Sequence, residues 1–257
     1  MSDRRAQAGW DIRFEWGADG LAAVAAGAAA VVIVDVLRFT TAVSVAVGRG
    51  AVVLPYTWDL GDAPRAFAAA HDAELAGMRE DGGWSLSPTD LARIPAGTRL
   101  VLPSPNGSTL AFGAGEAAPG ARVLAGCVRN AAAVARVAAG DGGPVAVVAS
   151  GERWGGNLGP LRPAVEDMLG AGAVIDALVT AGAGGRDPAG LSSEARAARA
   201  VFVEARDDLL GWLRVADSGH ELAERGWTDD LEAAAALDAE KVAPVLDGVA
   251  FRAVEPA

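Results

Sequence analysis

The chain is predicted to fold as a three-layer α/β/α sandwich around a largely parallel or mixed sheet, and two observations predict it. Apolar runs of strand length recur at 31–35, 51–55, 99–103, 122–126 and 144–149, with alanine-rich segments of helical spacing between them. Continuous apolar runs, as opposed to apolar–polar alternation, mark strands covered on both faces, and their alternation with helices is the pattern of parallel crossovers.

The opening segment 11–16, "DIRFEW", alternates weakly and adds a candidate edge strand. The segments "TTAVSVAVGRG", "WDLGDAPRAFAAAHDA", "NGSTLAFGAGE" and "NAAAVARVAAG" suit crossover helices, and Gly48, Gly50 and Gly140 stand where helices should stop. Residues 78–91, "MREDGGWSLSPTDL", form a long loop, and loops of that length in a compact domain commonly serve as lids or binding loops. After residue 160 the pattern changes. "AVEDMLGAGAVIDALVTAG" and "SSEARAARAVFVEARDDLLGWLRV" read as two long helices joined by the flexible turn "AGGRDPAG", the second capped by Ser192 or Ser193. "KVAPVLDGVAFRAV" reads as two short strands around an Asp-Gly turn. Without internal repeat or linker, residues 1–257 are expected to form a single domain, with a helical subregion from about 160.

Composition excludes several classes of function. At 257 residues and 51% hydrophobic, the chain can bury a large core. The net charge of -11 leaves no basic surplus for nucleic acid or an anionic membrane, although a small anion can bind where a few arginines converge. Cys127 is the single cysteine, which excludes an intramolecular disulfide framework and a zinc site of several thiolates, and with His71 and His220 the only histidines a clustered-imidazole metal site is not expected. The start, "MSDRRAQAGW", lacks a signal-peptide pattern and no apolar stretch is long enough to span a bilayer, so a soluble, cytoplasmic protein is expected.

In sheets of this kind ligands bind beyond the carboxyl ends of strands, and the strand-to-helix junctions here are consistently polar. In "VVIVDVLRFTTA", Asp35 interrupts an apolar run three residues before Arg38. Either Asp35 caps the next helix, or a carboxylate and a guanidinium face a charged ligand, since carboxylates hold Mg²⁺ and Arg grips phosphate in a fork. In "LVLPSPNGSTL", Asn106-Gly107 is ordinary turn chemistry, yet Ser104, Asn106, Ser108 and Thr109 with helix N–H groups would also cradle an oxyanion. "LAGCVRNAAAV" carries Cys127, Arg129 and Asn130. The arginine that thiolate phosphatases need five residues after the cysteine is missing, and a small buried residue is the simpler reading of Cys127. "VVASGERWGGNLGPLRPAVEDMLGAG" gathers Glu152, Arg153, Arg162, Glu166 and Asp167 around a glycine-rich loop, a mixture that makes sense when a divalent metal and a polyanion share a site.

Taken together these motifs resemble one family, the Mg²⁺-dependent 2-phosphosulfolactate phosphatases of the ComB type. "VVIVDVLRFTTA" looks like that family's "VDVLRATT", "SPNGS" resembles its "TNGT" turn, "RNAAAVA" its "NA" helix start and "RPAVEDMLGAG" its Arg and Glu-Asp before a small-residue helix. The ending "SGHELAERGWTDDLEAAAALDAEKVAPVL" is similar too, so the resemblance runs from about residue 11 to 250. Departures are Met78, where the family's loop suggests an acid, Leu86, where it suggests asparagine, and His220, where it suggests arginine. The resemblance implies hydrolysis of a phosphate monoester of a small 2-hydroxy acid, 2-phosphosulfolactate or a related compound, with Mg²⁺ as cofactor and a link to coenzyme M biosynthesis.

On that basis Asp35, Glu166 and Asp167 are expected to ligate Mg²⁺, with Glu152 a further ligand or the base. Arg38, Arg79, Asn106, Asn130, Arg153 and Arg162 are expected to bind the substrate. Attack by water is preferred over a phosphorylated Asp35, which stays open. The chain also lacks the second aspartate two residues after Asp35 that haloacid-dehalogenase phosphatases use, and lacks Gly-x-Gly-x-x-Gly after the first long strand, against a Rossmann oxidoreductase. A non-catalytic anion-binding or regulatory homologue is the alternative that remains, and a homodimer is one expected assembly.

Overall fold

A computed structural model describes residues 4–58, 61–140, 142–156, 159–180 and 187–256. Residues 183–186, the first half of the predicted "AGGRDPAG" turn, lie outside the described residues, as do 157–158 of the glycine-rich loop and 59–60 of the segment predicted as the second crossover helix.

The chain runs β1 (Ile12–Trp16), α1 (Gly17–Val24), β2 (Ala30–Val34), α2 (Phe39–Gly48), β3 (Val52–Thr57), α3 (Ala63–Ala70), β4 (Glu74–Leu75), α4 (Pro88–Leu91), β5 (Arg99–Ser104), α5 (Gly107–Ala117), β6 (Arg122–Gly126), α6 (Ala131–Ala139) and β7 (Val145–Ala149). It continues through β8 (Glu152–Arg153), β9 (Leu161–Arg162), α7 (Val165–Thr180), α8 (Ser193–Ala205), α9 (Leu209–Val215), α10 (Asp217–Glu224), α11 (Thr228–Ala235), β10 (Ala243–Asp247) and β11 (Ala250–Val254). Every apolar run read as a strand is one, and the weak edge segment is β1.

Nine strands form one sheet in the order β1-β7-β2-β6-β10-β11-β3-β5-β4, with helices on both faces. All five residues of β2 are buried, and they alternate in direction as strand geometry requires. Val32 and Val34 join a core with α6, α7 and α8, whereas Val31 and Ile33 join a second core with α2 and α5. The two cores on opposite faces of one strand are what the unbroken apolar run encodes. The sheet is mixed. β1, β7, β2 and β6 pair in parallel, as do β3, β5 and β4, and the late hairpin β10–β11 joins the two blocks through antiparallel contacts at Val245–Leu124 and Phe251–Val53. A short separate ribbon pairs β8 with β9, placing Glu152 opposite Arg162.

The second long helix predicted over 192–215 is in fact two. Ser192 caps α8 by accepting the Ala195 N–H, and the helix ends at Ala205. Arg206–Asp208 then form a 3₁₀ turn, and the Asp208 carboxylate accepts the Gly211 N–H to start α9. An Asp-Asp pair competes for backbone N–H groups in this way, which is why it marks a cap more often than a helix interior. Among the described residues no helix is long and apolar enough to cross a membrane.

Helices α7 and α8 pack closely because Gly172 presents no side chain toward α8. A Cβ there would run into the Ala198 carbonyl oxygen and lie 2.6 Å from the Phe202 Cβ. Gly172→Ala is therefore expected to destabilise the protein by about 1–3 kcal/mol through overpacking, despite alanine's better helix propensity. Urea unfolding measures this, and a variant as stable as the parent would contradict the close approach.

Candidate active site

The ends of β2, β5 and β7 meet at Asp35. Its Oδ1 accepts the Phe39 N–H at 3.1 Å, which opens α2, and its Oδ2 accepts the Gly107 N–H at 2.8 Å, which opens α5. Thr40 locks the same turn, its hydroxyl bonding both the N–H and the carbonyl of Asp35. Gly107 is required here, because a Cβ would lie 2.6 Å from the Asp35 carboxylate and 2.8 Å from the Phe39 ring. Asp35 thus caps its helix, as the first reading of the junction expects, and it also lines a cavity together with Arg38.

Asp167, in the first turn of α7, makes a parallel clamp, accepting the Val36 N–H at 2.7 Å and the Gly151 N–H at 2.8 Å. Glu166 beside it is buried, and no hydrogen bond joins its carboxylate to any described residue. Glu152, on β8, accepts the Asn106 side-chain amide at 3.1 Å. Four acids are therefore crowded behind the strand ends. Burial first, and then repulsion from the neighbouring Glu166, push Asp35 up to about 6, although two N–H donors and Arg38 act the other way. Glu152 is pushed up to about 7 by burial and then by Asp35 and Glu166, against the pull of Asn106 and Arg162. Asp167 lies well above the usual carboxylate range, burial again leading.

Asp35, Asn106 and Glu152 open onto a cavity of about 210 Å³ whose other wall comes from α10 and the residues after it, including Glu221, Arg225 and Trp227. That volume suits a ligand smaller than a drug-sized one. Arg38 lines it as well, its guanidinium 4.9 Å from the centre of the Trp227 ring and paired at 3.0 Å with Asp230. Asp230 is fully buried and accepts from five donors: the Ser87 and Thr89 hydroxyls, the Thr89 N–H, Arg38 and Arg79. It ties α11 to α4 and to the start of α2, and so fixes Arg38 against the ring.

Of the residues predicted for the site, Asp35, Arg38, Asn106 and Glu152 line the cavity. Arg79 stacks on Trp227 at 5.5 Å and pairs with Asp90, Asp229 and Asp230, but it lines a separate open hollow with Trp84 and Arg93. Arg162 lies opposite Glu152 in the ribbon, paired with Asp217 and stacked on Trp154, and reaches the site through its charge. Arg153 bonds the Gly159 carbonyl outside the cavity. Asn130 is corrected from substrate binding to structural. It is fully buried, its amide oxygen accepting the Cys127 N–H and its nitrogen donating to the Ala125 carbonyl, so both ends are satisfied inside the protein. Asp167 and Glu166 lie outside the lining, and Asp167 has both oxygens on backbone N–H groups.

The donor cradle expected at Ser104–Thr109 is also largely spent internally. The Ser108 N–H goes to Ser104, the Ser108 hydroxyl to Leu102 and the Thr109 hydroxyl to Ser104, which leaves Ser104 and Asn106 at the cavity. The Cys127 thiol is pushed up to about 11, chiefly by burial, which makes it inert as a nucleophile. His220 is exposed, Met78 is exposed, and Leu86 contributes to the cavity wall. Sequence reading missed Trp227, Arg225 and Asp230. An acid in the first turn of a helix is so ordinary that Asp230 carried no signal until its burial was visible. Among the described residues, no three acidic, imidazole or thiol side chains converge as a metal cage.

A family model described as 2-phosphosulpholactate phosphatase matches residues 21–248. A protein of Synechococcus sp. (strain RCC307) named probable 2-phosphosulfolactate phosphatase is 32% identical over 228 residues, covering 85% of this chain and 89% of the relative. Proteins of the same name from Synechococcus sp. (strain CC9605) and Gloeobacter violaceus are 34% and 31% identical, covering 84% and 83% of this chain and 88% and 86% of the relatives.

The crowded acids make stability depend on pH with a definite sign. Asp35 rises from 3.8 to about 6 and Glu152 from 4.5 to about 7, so between about pH 4 and 7 the folded state holds more protons than the unfolded chain. This contribution to stability is fully present below the unfolded values and is lost as pH rises through the folded ones. In metal-free protein, the unfolding free energy of the parent relative to Asp35→Asn should fall by about 1–3 kcal/mol across that window. Urea unfolding at each pH tests it, and a difference that stays flat or grows would contradict the assignment.

Proposed function

The chain belongs to the 2-phosphosulpholactate phosphatase family, and from that premise we propose that it hydrolyses the phosphate monoester of a small 2-hydroxy acid, 2-phosphosulfolactate or a close relative, with Mg²⁺. The observation that carries this reading is the meeting of Asp35, Asn106, Glu152 and Arg38 around one small cavity at the strand ends. Glu152 takes the proton from the attacking water. Its Oε2 is held by Asn106, and a value of about 7 lets it accept and release a proton near neutral pH. Arg38, held in place by Asp230 and by the face of Trp227, binds the phosphoryl oxygens. Asp35 accepts backbone N–H groups on both of its oxygens, an arrangement that suits a fixed carboxylate better than a nucleophile that must move. Water is accordingly the attacking group.

The donor set fits a divalent cation in kind. Asp35 and Glu166 are buried carboxylates that repel one another, and Mg²⁺ is commonly held by one or two carboxylates with water and substrate phosphate completing its shell, so a three-carboxylate cage is not needed. Asp35 and Glu166 are the residues that would hold it, and the chemistry supplied there is neutralisation of phosphoryl charge and acidification of a water. Asp167 supports the site by fixing the Val36 and Gly151 backbone.

Phosphate release from 2-phosphosulfolactate and related phosphorylated 2-hydroxy acids is expected to require Mg²⁺, to stop with chelator and to return on re-addition. Asp35→Asn should lower kcat by at least about 100-fold. Binding of these esters without release of phosphate would refute the enzyme reading in favour of an anion-binding protein.

Asp230→Asn keeps the shape of the buried hub but weakens its hold on Arg38. It should raise KM about 10-fold and leave kcat within about threefold. A fall in kcat at constant KM would place Asp230 in the chemical step instead.

A further inference from the structure

The cavity is lined by charges of both signs. Asp35 and Glu152 stand at the strand ends with Asn106, and Glu221 lies beside Arg225, whereas Arg38 and Arg225 share one ring, their guanidinium carbons 4.9 and 5.2 Å from the centre of Trp227. Stacking on an aromatic face orients a guanidinium and leaves its N–H edges available in plane.

The two arginines are held differently. Arg38 is 17% exposed and tied to Asp230, which is wholly buried, so it is fixed. Arg225 is 47% exposed, and its partner is Glu221, one turn earlier on the same helix, 63% exposed, with Nη2 to Oε1 at 2.6 Å. Such an exposed pair is weak and screened, and an incoming anion can replace it. The sequence reading gave neither Arg225 nor Trp227 a role, and the phosphoryl chemistry above uses only Arg38.

We propose that Arg225 is a specificity-determining residue that exchanges Glu221 for the sulfonate of the substrate, the strong-acid group remote from phosphorus. This rests on the phosphatase reading of the cavity and deepens it. The phosphate is gripped at the end of the cavity where Arg38 faces Asp35 and Glu152, and the sulfonate oxygens receive the freed N–H donors of Arg225, with Trp227 beneath the guanidinium as its platform. The ligand class is therefore a small phosphate ester carrying a second strong acid group.

Parent, Arg225→Met and Arg225→Lys are compared on 2-phosphosulfolactate and on 2-phospholactate, which has a methyl group in place of the sulfonated carbon. Arg225→Met should raise KM for the sulfonated ester about 10- to 100-fold, with kcat and the KM for 2-phospholactate within about twofold of the parent. Arg225→Lys should recover part of the loss. An equal loss on both esters, or no loss on either, overturns the proposal. Calorimetric titration with sulfolactate alone reads the same contact without turnover, so it still decides if no ester is hydrolysed. Weaker binding by Arg225→Met than by the parent supports the assignment, and equal binding by both proteins, or none by either, overturns it.

Discussion

The structure turns on a buried carboxylate at the end of β2. By accepting the N–H groups that open both α2 and α5, Asp35 joins two strand–helix units that are far apart in sequence and belong to different parallel blocks of the sheet. A neutral side chain of the same size would satisfy the two donors less well, because charge-assisted hydrogen bonds are the stronger ones. Keeping the charge buried works against stability on its own, and the more so with Glu152, Glu166 and Asp167 close enough to raise its pKa or be raised by it. Four acids behind one set of strand ends are a cost that packing alone does not offset, and carboxylates perturbed in this way cluster at functional sites.

Much of the fold was legible in the sequence because the strands are buried on both faces, and that condition writes itself as unbroken apolar runs. The position of the last hairpin was not. "LDGV" announces a turn between two strands, but nothing local states that they slot between β6 and β3, since register with distant strands is decided by a few contacts such as Val245–Leu124 and Phe251–Val53. The candidate site divides in the same way. Asp35 and Glu152 were visible as acids interrupting or ending apolar runs. Asn130 was misassigned because a polar side chain at a junction can turn inward to the backbone as readily as outward to a ligand, and only coordinates tell which.

The second wall of the cavity was illegible for a different reason. Its parts come from α10, α11 and the start of α4, where Ser87 and Thr89 lie, brought together by Asp230, whose burial is a tertiary fact. Three guanidiniums, those of Arg38, Arg79 and Arg225, gather about the Trp227 ring. Cations so close would repel were it not for Asp230 and Glu221, and the ring gives them a common surface on which to lie. Arg225 and Trp227 thus come from the helical region after residue 160, whereas Asp35, Arg38 and Asn106 follow strands of the main sheet.

The placement of β10 and β11 also constrains how the molecule is made. Residues 243–254 fill the middle of the sheet, so β3 and β6, finished much earlier in synthesis, each keep one side of unpaired N–H and C=O groups until nearly all of the chain described here has left the ribosome. During that interval two apolar strand borders are open to partners other than the right ones, and the nascent protein is most exposed to misassembly at its centre, not at its rim.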